Sequence, residues 1–131
     1  AADRVVGELE AAGADFVLVD VHAEATSEKQ AIGYHLAGRA QAVIGTHTHV
    51  PTADARILSG GTAYVTDVGM TGGAESIIGF DKEEFLGLFL GRGPSRLGAS
   101  KAPANLNAVV VGVEVESRQA VSIERVLREG V

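Results

Sequence analysis

Apolar positions recur along the chain with two different periods. Val5, Val6, Leu9 and Ala12 share a helical stripe that stops at Gly13, a residue suited to the left-handed conformation that ends helices. Phe16 to Val21 is an apolar, β-branched run too short for a helix. It predicts a strand buried on both faces, as in a parallel sheet. A second helix is expected from Thr26, with Ser27 and Gln30 as a capping box and Ala31, Ile32, His35 and Leu36 on its packed face, up to Gly38. Ala42 to Gly45 is another short buried strand. Strand, helix and strand in about thirty residues form a βαβ unit with a right-handed crossover.

The remainder has a different texture. Ten of the 17 glycines lie between residues 60 and 98, so turns and loops dominate there. Arg56–Leu58, Ser59-Gly60-Gly61 and Thr62–Thr66 predict a hairpin. Asp81 with Glu84 is expected to cap a helix running to about Leu90, and Gly91 to Asn105 a mobile surface loop. Val109, Val111, Val113 and Val115 alternate with Val110, Gly112, Glu114 and Glu116, a strand with one buried face. Its partner carries Val121, Ile123 and Leu127 after a Ser117-Arg118-Gln119 turn. The fold class is α/β, a βαβ unit followed by antiparallel strands, in one domain spanning residues 1–131.

Composition narrows the functional classes. With 131 residues, net charge −6 and 46% hydrophobic residues, the chain can bury roughly two thirds of its unfolded surface. Its acidic balance argues against gripping nucleic acid by bulk charge. No apolar run approaches the ~18 residues of a membrane span, and no charged start leads into an apolar stretch; no membrane association and a cytoplasmic location are expected. The chain has no cysteine, so any metal must be held by nitrogen and oxygen.

Three of the four histidines follow the two buried strands: His22 the first, His47 and His49 the second. Parallel strands place their C-terminal ends side by side, at the edge where open α/β sheets bind ligands. On an extended backbone His47 and His49 would project to one side with Cα atoms ~6.6 Å apart. Imidazoles converging there suit zinc, iron or manganese. Two arrangements are open: one zinc on three histidines with an activated water, or part of a two-metal site completed from elsewhere. Among nearby acids, Asp20 shares a strand face with His22 and is placed to orient an imidazole. Glu24 fits a site contact or a surface role equally, and Asp54 and Asp67 lie further along. His35 is assigned to packing. Lys29, Arg39 and Arg56 read as solvated charges rather than phosphate ligands, and the basic stretch from Arg92 to Lys101 as disordered rather than nucleotide-binding.

The segments Asp20-Val-His22-Ala-Glu-Ala-Thr-Ser-Glu-Lys29, Gly45-Thr-His47-Thr-His49-Val50, Thr52-Ala-Asp54 and Gly61-Thr-Ala-Tyr-Val-Thr-Asp67-Val-Gly-Met-Thr-Gly72 together resemble the YmdB-like branch of the bacterial calcineurin-type metallophosphoesterases. Gly-Thr-His-Thr-His alone also occurs in related folds, including CapA-like proteins; the longer segments carry the specificity. The likeness is weakest between residues 85 and 108. It implies a β-sandwich flanked by helices and a centre of two divalent metal ions, iron or manganese with zinc as the alternative. Phosphodiesters such as 2′,3′-cyclic nucleotides, RNA-derived ones among them, would be the substrates. It also implies that His22 and His47 serve one metal and His49 the other.

Asp67 and Thr71, near the same edge, are candidates for the substrate pocket, although a glycine turn with positive φ at Gly69 and Gly72 explains that segment equally. Self-association into a homo-oligomer is allowed. The family's Gly-Asp, Asn-Gly-Glu-Asn and Gly-Asn-His segments, which supply an aspartate, a bridging glutamate, asparagines and the general acid, do not occur here. The chain is therefore expected to be the C-terminal half of a sandwich, as its start at Ala1 suggests. An alternative is a catalytically incomplete metal-binding or regulatory module.

Overall fold

In the computed structural model, which describes residues 1–93 and 96–131, the βαβ unit forms where the apolar runs place it. Helix α1 (Ala2–Ala11) leads to β1 (Leu18–His22), α2 (Thr26–His35) and β2 (Ala42–Thr46). β1 and β2 pair in parallel, Leu18 opposite Ala42 and His22 opposite Thr46. The glycine-linked hairpin, β3 (Arg56–Leu58) and β4 (Thr62–Val65), extends this sheet. β4 pairs parallel to β2 and antiparallel to β3, giving the order β1-β2-β4-β3.

Position in the sheet explains burial. β4, in the interior, is buried at all of its positions. β1 is an edge strand, and only Val21 within it is buried, with Leu18 62% exposed; the expectation of a strand covered on both faces fails because β1 has one neighbour. One face of the sheet packs on the helices, joining Val6, Leu36, Val43, Leu58 and Tyr64 in one core. The other face sets Ala42 and Ala63 against Ala120, Val111 and Ile123. Those residues belong to the long hairpin of β8 (Ala104–Glu114) and β9 (Gln119–Arg128), whose third partner is β5 (Gly72–Gly73). The fold is mixed α/β with parallel and antiparallel pairing.

Several local expectations change. Helix α2 has Ala25 as its N-cap and no side-chain cap, so the Ser27–Gln30 box does not form. His35 is exposed and its Nε2 lies 2.9 Å from Asp3 Oδ1; it tethers α2 to α1 instead of packing. β9 carries a bulge, with Val113 opposite Ala120 and Gly112 opposite Ser122. Val121 is the extra residue and stays 63% exposed, because a bulge reverses the alternation of faces. Leu127 is also exposed.

Between β5 and β8 along the chain come β6 (Ser76–Ile77), β7 (Phe80–Asp81) and α3 (Lys82–Phe89). Asp81 Oδ1 caps α3 by accepting from Glu83 and Glu84 N–H, each at 3.0 Å. Glu84 does not reciprocate; its carboxylate takes Gly98 N–H at 2.7 Å. The described part of the expected free loop is tied down, with Arg92 N–H on Gly87 O, Asp81 N–H on Gly98 O and Ser100 N–H on Gly79 O. Pro94 and Ser95 of the basic stretch lie outside the described residues.

Gly45 in β2 has no room for a side chain. A methyl there would overlap the Thr66 carbonyl and come within 2.9 Å of the Lys29 stem. Gly45→Ala is expected to destabilise by about 3 kcal/mol, the upper end of overpacking costs. Gly7→Ala, where nothing lies within 4 Å of the added methyl, should leave the urea midpoint unchanged or slightly raised. Equal midpoints for the two variants would contradict the packing described.

Candidate functional site

The register of β1 and β2 builds the first part of the site. His22 ends β1 opposite Thr46, which ends β2. Thr46 Oγ1 donates to Asp20 Oδ1 at 2.7 Å and accepts from His22 Nδ1 at 2.9 Å. This chain places the proton of His22 on Nδ1 and leaves Nε2 as a bare acceptor. Asp20 thus acts on the imidazole through Thr46. His47 follows directly, and its ring meets that of His22 edge to face, centroids 4.8 Å apart.

His22 Nε2 and His47 Nδ1 approach to 3.1 Å, while His47 Nε2 lies 3.2 Å from the exposed Glu24 carboxylate. With the His47 Nε2 proton turned to Glu24, two nitrogen lone pairs face each other. A shared proton or a cation relieves that repulsion. Nitrogens each about 2.0–2.1 Å from one ion, in adjacent coordination positions, stand about 3 Å apart. The donor pair therefore fits a first-row metal.

His49 is placed differently. β2 stops at Thr46, and both His47 (φ 109°) and His49 (φ 66°) leave the extended region. The alternation that would set the two rings side by side is lost. His49 donates Nδ1–H to the Ile78 carbonyl at 2.9 Å and lines a cavity of about 280 Å³ with Pro51, Met70 and Asn107. Among the described residues no three histidine or carboxylate side chains gather at one point. The structure brings His22 and His47 together, whereas His49 turns to the Ile78 carbonyl instead of projecting beside His47.

Beneath this loop lies a buried ion pair that the sequence reading missed. Lys29, expected to be a solvated charge, is 1% exposed and donates to Asp67 Oδ2 at 2.8 Å. The same oxygen accepts the Thr48 N–H at 3.0 Å and the Thr48 hydroxyl at 2.8 Å, and Oδ1 accepts Gly69 N–H at 2.9 Å. Burial alone would raise the Asp67 carboxyl, but Lys29, Gly69 and Thr48 outweigh it and hold it below the usual carboxylate range. Asp67, expected to line the substrate pocket, has no free face. Thr71 is exposed at the turn into β5. Gly69 has the expected positive φ (83°), whereas Gly72 does not.

The other charges are structural as well. Asp54 takes hydrogen bonds from the Thr52 and Thr66 hydroxyls, both at 2.6 Å; burial opposes its ionisation, and these bonds prevail to keep it below the ordinary range. Arg56 pairs with Asp54 and lies over the Tyr64 ring, and Arg39 pairs with Asp3. The overlooked contributors are Thr46, Thr48 and Lys29. Signals for them exist in hindsight: the threonines interleave the histidines, and Lys29 sits four residues into a helix whose neighbouring strand carries Gly45.

The candidate site is thus a nitrogen donor pair at the ends of parallel strands in a mixed α/β sheet. The chain belongs to the YmdB-like protein family, whose sequence model matches residues 1–126. It is 47% identical over 126 residues to the 2′,3′-cyclic-nucleotide 2′-phosphodiesterase of Bacillus subtilis (strain 168), an alignment covering 96% of this chain and 47% of that protein. The crystal structure of a hypothetical protein from Thermus thermophilus is similar with TM-score 0.87 and 48% identity, covering 98% of this chain and 49% of that one. That of a novel phosphatase from Mycoplasma pneumoniae gives TM-score 0.84 and 40% identity, covering 96% and 46%. The chain spans about half the length of these relatives.

Asp67→Asn is expected to cost roughly 3–5 kcal/mol near pH 7, because Lys29 then keeps an uncompensated buried charge. The depressed folded-state pKa means that this carboxylate stabilises the fold above its unfolded value of about 3.9. That contribution is lost as pH falls through the lower folded value. Urea denaturation from pH 7 to pH 3 should therefore show the gap between wild type and variant closing below about pH 4. A constant gap would contradict an ionised Asp67.

Proposed function

We propose that this chain contributes the histidine side of a two-metal phosphodiesterase centre acting on small phosphodiesters such as 2′,3′-cyclic nucleotides, RNA-derived ones included. The observation that carries the reading is the 3.1 Å approach of His22 Nε2 and His47 Nδ1, each held by an outer hydrogen bond or ion-pair contact. Its support on the substrate side is the name of the Bacillus subtilis relative. In this reading His22 and His47 hold one ion and His49 the second, iron or manganese with zinc as the alternative. Bound divalent cations supply positive charge against phosphoryl oxygens and lower the pKa of water.

The residues of this chain orient the donors. Thr46 and Asp20 keep the His22 proton on Nδ1, away from the centre. Glu24 draws the other His47 proton outward, which leaves Nδ1 inward. The Ile78 carbonyl does the same for His49, freeing its Nε2. The aspartate, bridging glutamate and general acid belong, in this reading, to the other half of a calcineurin-like sandwich, since no Gly-Asn-His or Asn-Gly-Glu-Asn segment occurs in these 131 residues. Among the described residues no helix is long and apolar enough to cross a membrane; the location in this reading is the cytoplasm.

Two measurements test this. Assayed alone with Mn2+ on a 2′,3′-cyclic nucleotide, the 131-residue chain is expected to hydrolyse at background rate; robust turnover would overturn the division of the centre. In a polypeptide of the relatives' full length, His47→Ala should lower turnover by more than about 100-fold, beyond the 10–100-fold typical of an outer-shell partner. Metal content by elemental analysis should fall with it. An unchanged rate and metal content would remove His47 from the centre.

A further inference from the structure

The buried Lys29–Asp67 pair places every hydrogen bond of its carboxylate on the segments that carry or flank the histidine loop. Asp67 Oδ2 holds Thr48 by both backbone N–H and hydroxyl, and Oδ1 holds Gly69. The Asp67 backbone adds to the clamp: its carbonyl accepts Thr52 N–H at 2.9 Å, and its N–H donates to Thr52 Oγ1 at 2.9 Å. Met70 N–H reaches the His49 carbonyl at 3.2 Å. Residues 48 and 52 are thus stapled to one aspartate, and Thr48 is the residue between two histidines at positive φ.

We infer that Thr48, anchored through Asp67 by the buried Lys29 ammonium, is a positioning residue that fixes the imidazoles of His47 and His49 in their diverging orientations. The inference rests on reading those histidines as metal ligands. Stability alone does not account for the pair, because a buried ion pair is commonly no more stabilising than apolar side chains of the same volume. An apolar replacement could fill the space under Gly45. It could not accept two hydrogen bonds from Thr48. Without that anchor the loop from His47 to Thr52 keeps its contacts at His49, with the Met70 N–H and the Ile78 carbonyl, but loses its fixed point at Thr48, and the turn at His47 is free to relax toward extended backbone.

Three variants separate positioning from folding. Thr48→Val removes the hydroxyl bond and keeps the shape, whereas Thr48→Ser keeps both bonds. Lys29→Met/Asp67→Leu removes both anchors while filling the cavity. In the metal-free chain, 15N imidazole spectra should report the Nδ1–H tautomer of His49 in wild type and Thr48→Ser, and tautomer averaging in Thr48→Val and the double variant. Titrated with Mn2+ in the full-length context, Thr48→Val is expected to bind about 10-fold more weakly and the double variant about 100-fold, the range for loss of an outer-shell partner. Thr48→Ser should stay within a few-fold of wild type, and Thr48→Val should still unfold cooperatively, its urea midpoint lowered by no more than the loss of one hydrogen bond to a charged acceptor. Tautomers and Mn2+ affinity unchanged in Thr48→Val would overturn the positioning role while leaving the ligand assignment intact. Wild type that takes up no Mn2+ would overturn both. Should the double variant fail to fold, Thr48→Val alone decides.

Discussion

The arrangement depends on one salt bridge that has no access to water. Lys29 and Asp67 are each 1% exposed and 2.8 Å apart, in a place where either charge alone would be intolerable. Three features of the sequence make room for it. Gly45 lets the lysine stem pass behind β2, where any side chain would collide with it and with the Thr66 carbonyl. β4 ends at Val65, and the buried Thr66 that follows leads into the buried Asp67. Thr48 and Gly69 bring the donors that complete the carboxylate's bonding. Position, charge and loop path are therefore settled together.

Parallel pairing then decides which side chains can cooperate. Because His22 stands opposite Thr46, the hydroxyl reaches the imidazole directly, and Asp20, two residues earlier on β1, reaches that hydroxyl from the same face. The three groups form a relay with one direction of donation. A register shift of one residue would turn His22 to the opposite face and break it. The function of the β1 edge is thus written in the pairing as much as in the residue types.

That logic shows why much of the fold was legible and part of the site was not. Short β-branched runs, terminal glycines and the Asp81 cap each report a local preference, and the elements formed close to where those signals lie. Burial of β1 failed because it depends on the number of neighbouring strands, which no local pattern encodes. Val121 failed because a bulge changes phase without changing composition. His22 was placed by the βαβ rule, but the pairing of His47 with His49 assumed an extended backbone beyond β2. A tertiary anchor overrides that assumption. Lys29 was misread for the same reason: an ammonium in a helix is solvated unless something outside the helix meets it, and here that partner is 38 residues away.

Magnitudes set the anchor level with the strain it opposes. A non-glycine residue held at an unfavourable positive φ costs roughly 1–3 kcal/mol, and two such residues flank Thr48. Each hydrogen bond to a charged acceptor contributes about 1.5–3 kcal/mol, and Thr48 gives two to Asp67. The two contributions match, so the loop keeps its strained path only while Asp67 is charged and both bonds are made. Strain at His47 is what turns its ring back to His22, and strain at His49 is what sends that ring to Ile78. A relaxed loop would restore the alternation expected from the sequence and dissolve the donor pair. The divergence of the two imidazoles is accordingly a consequence of the buried charge below them, not of the strand that precedes them.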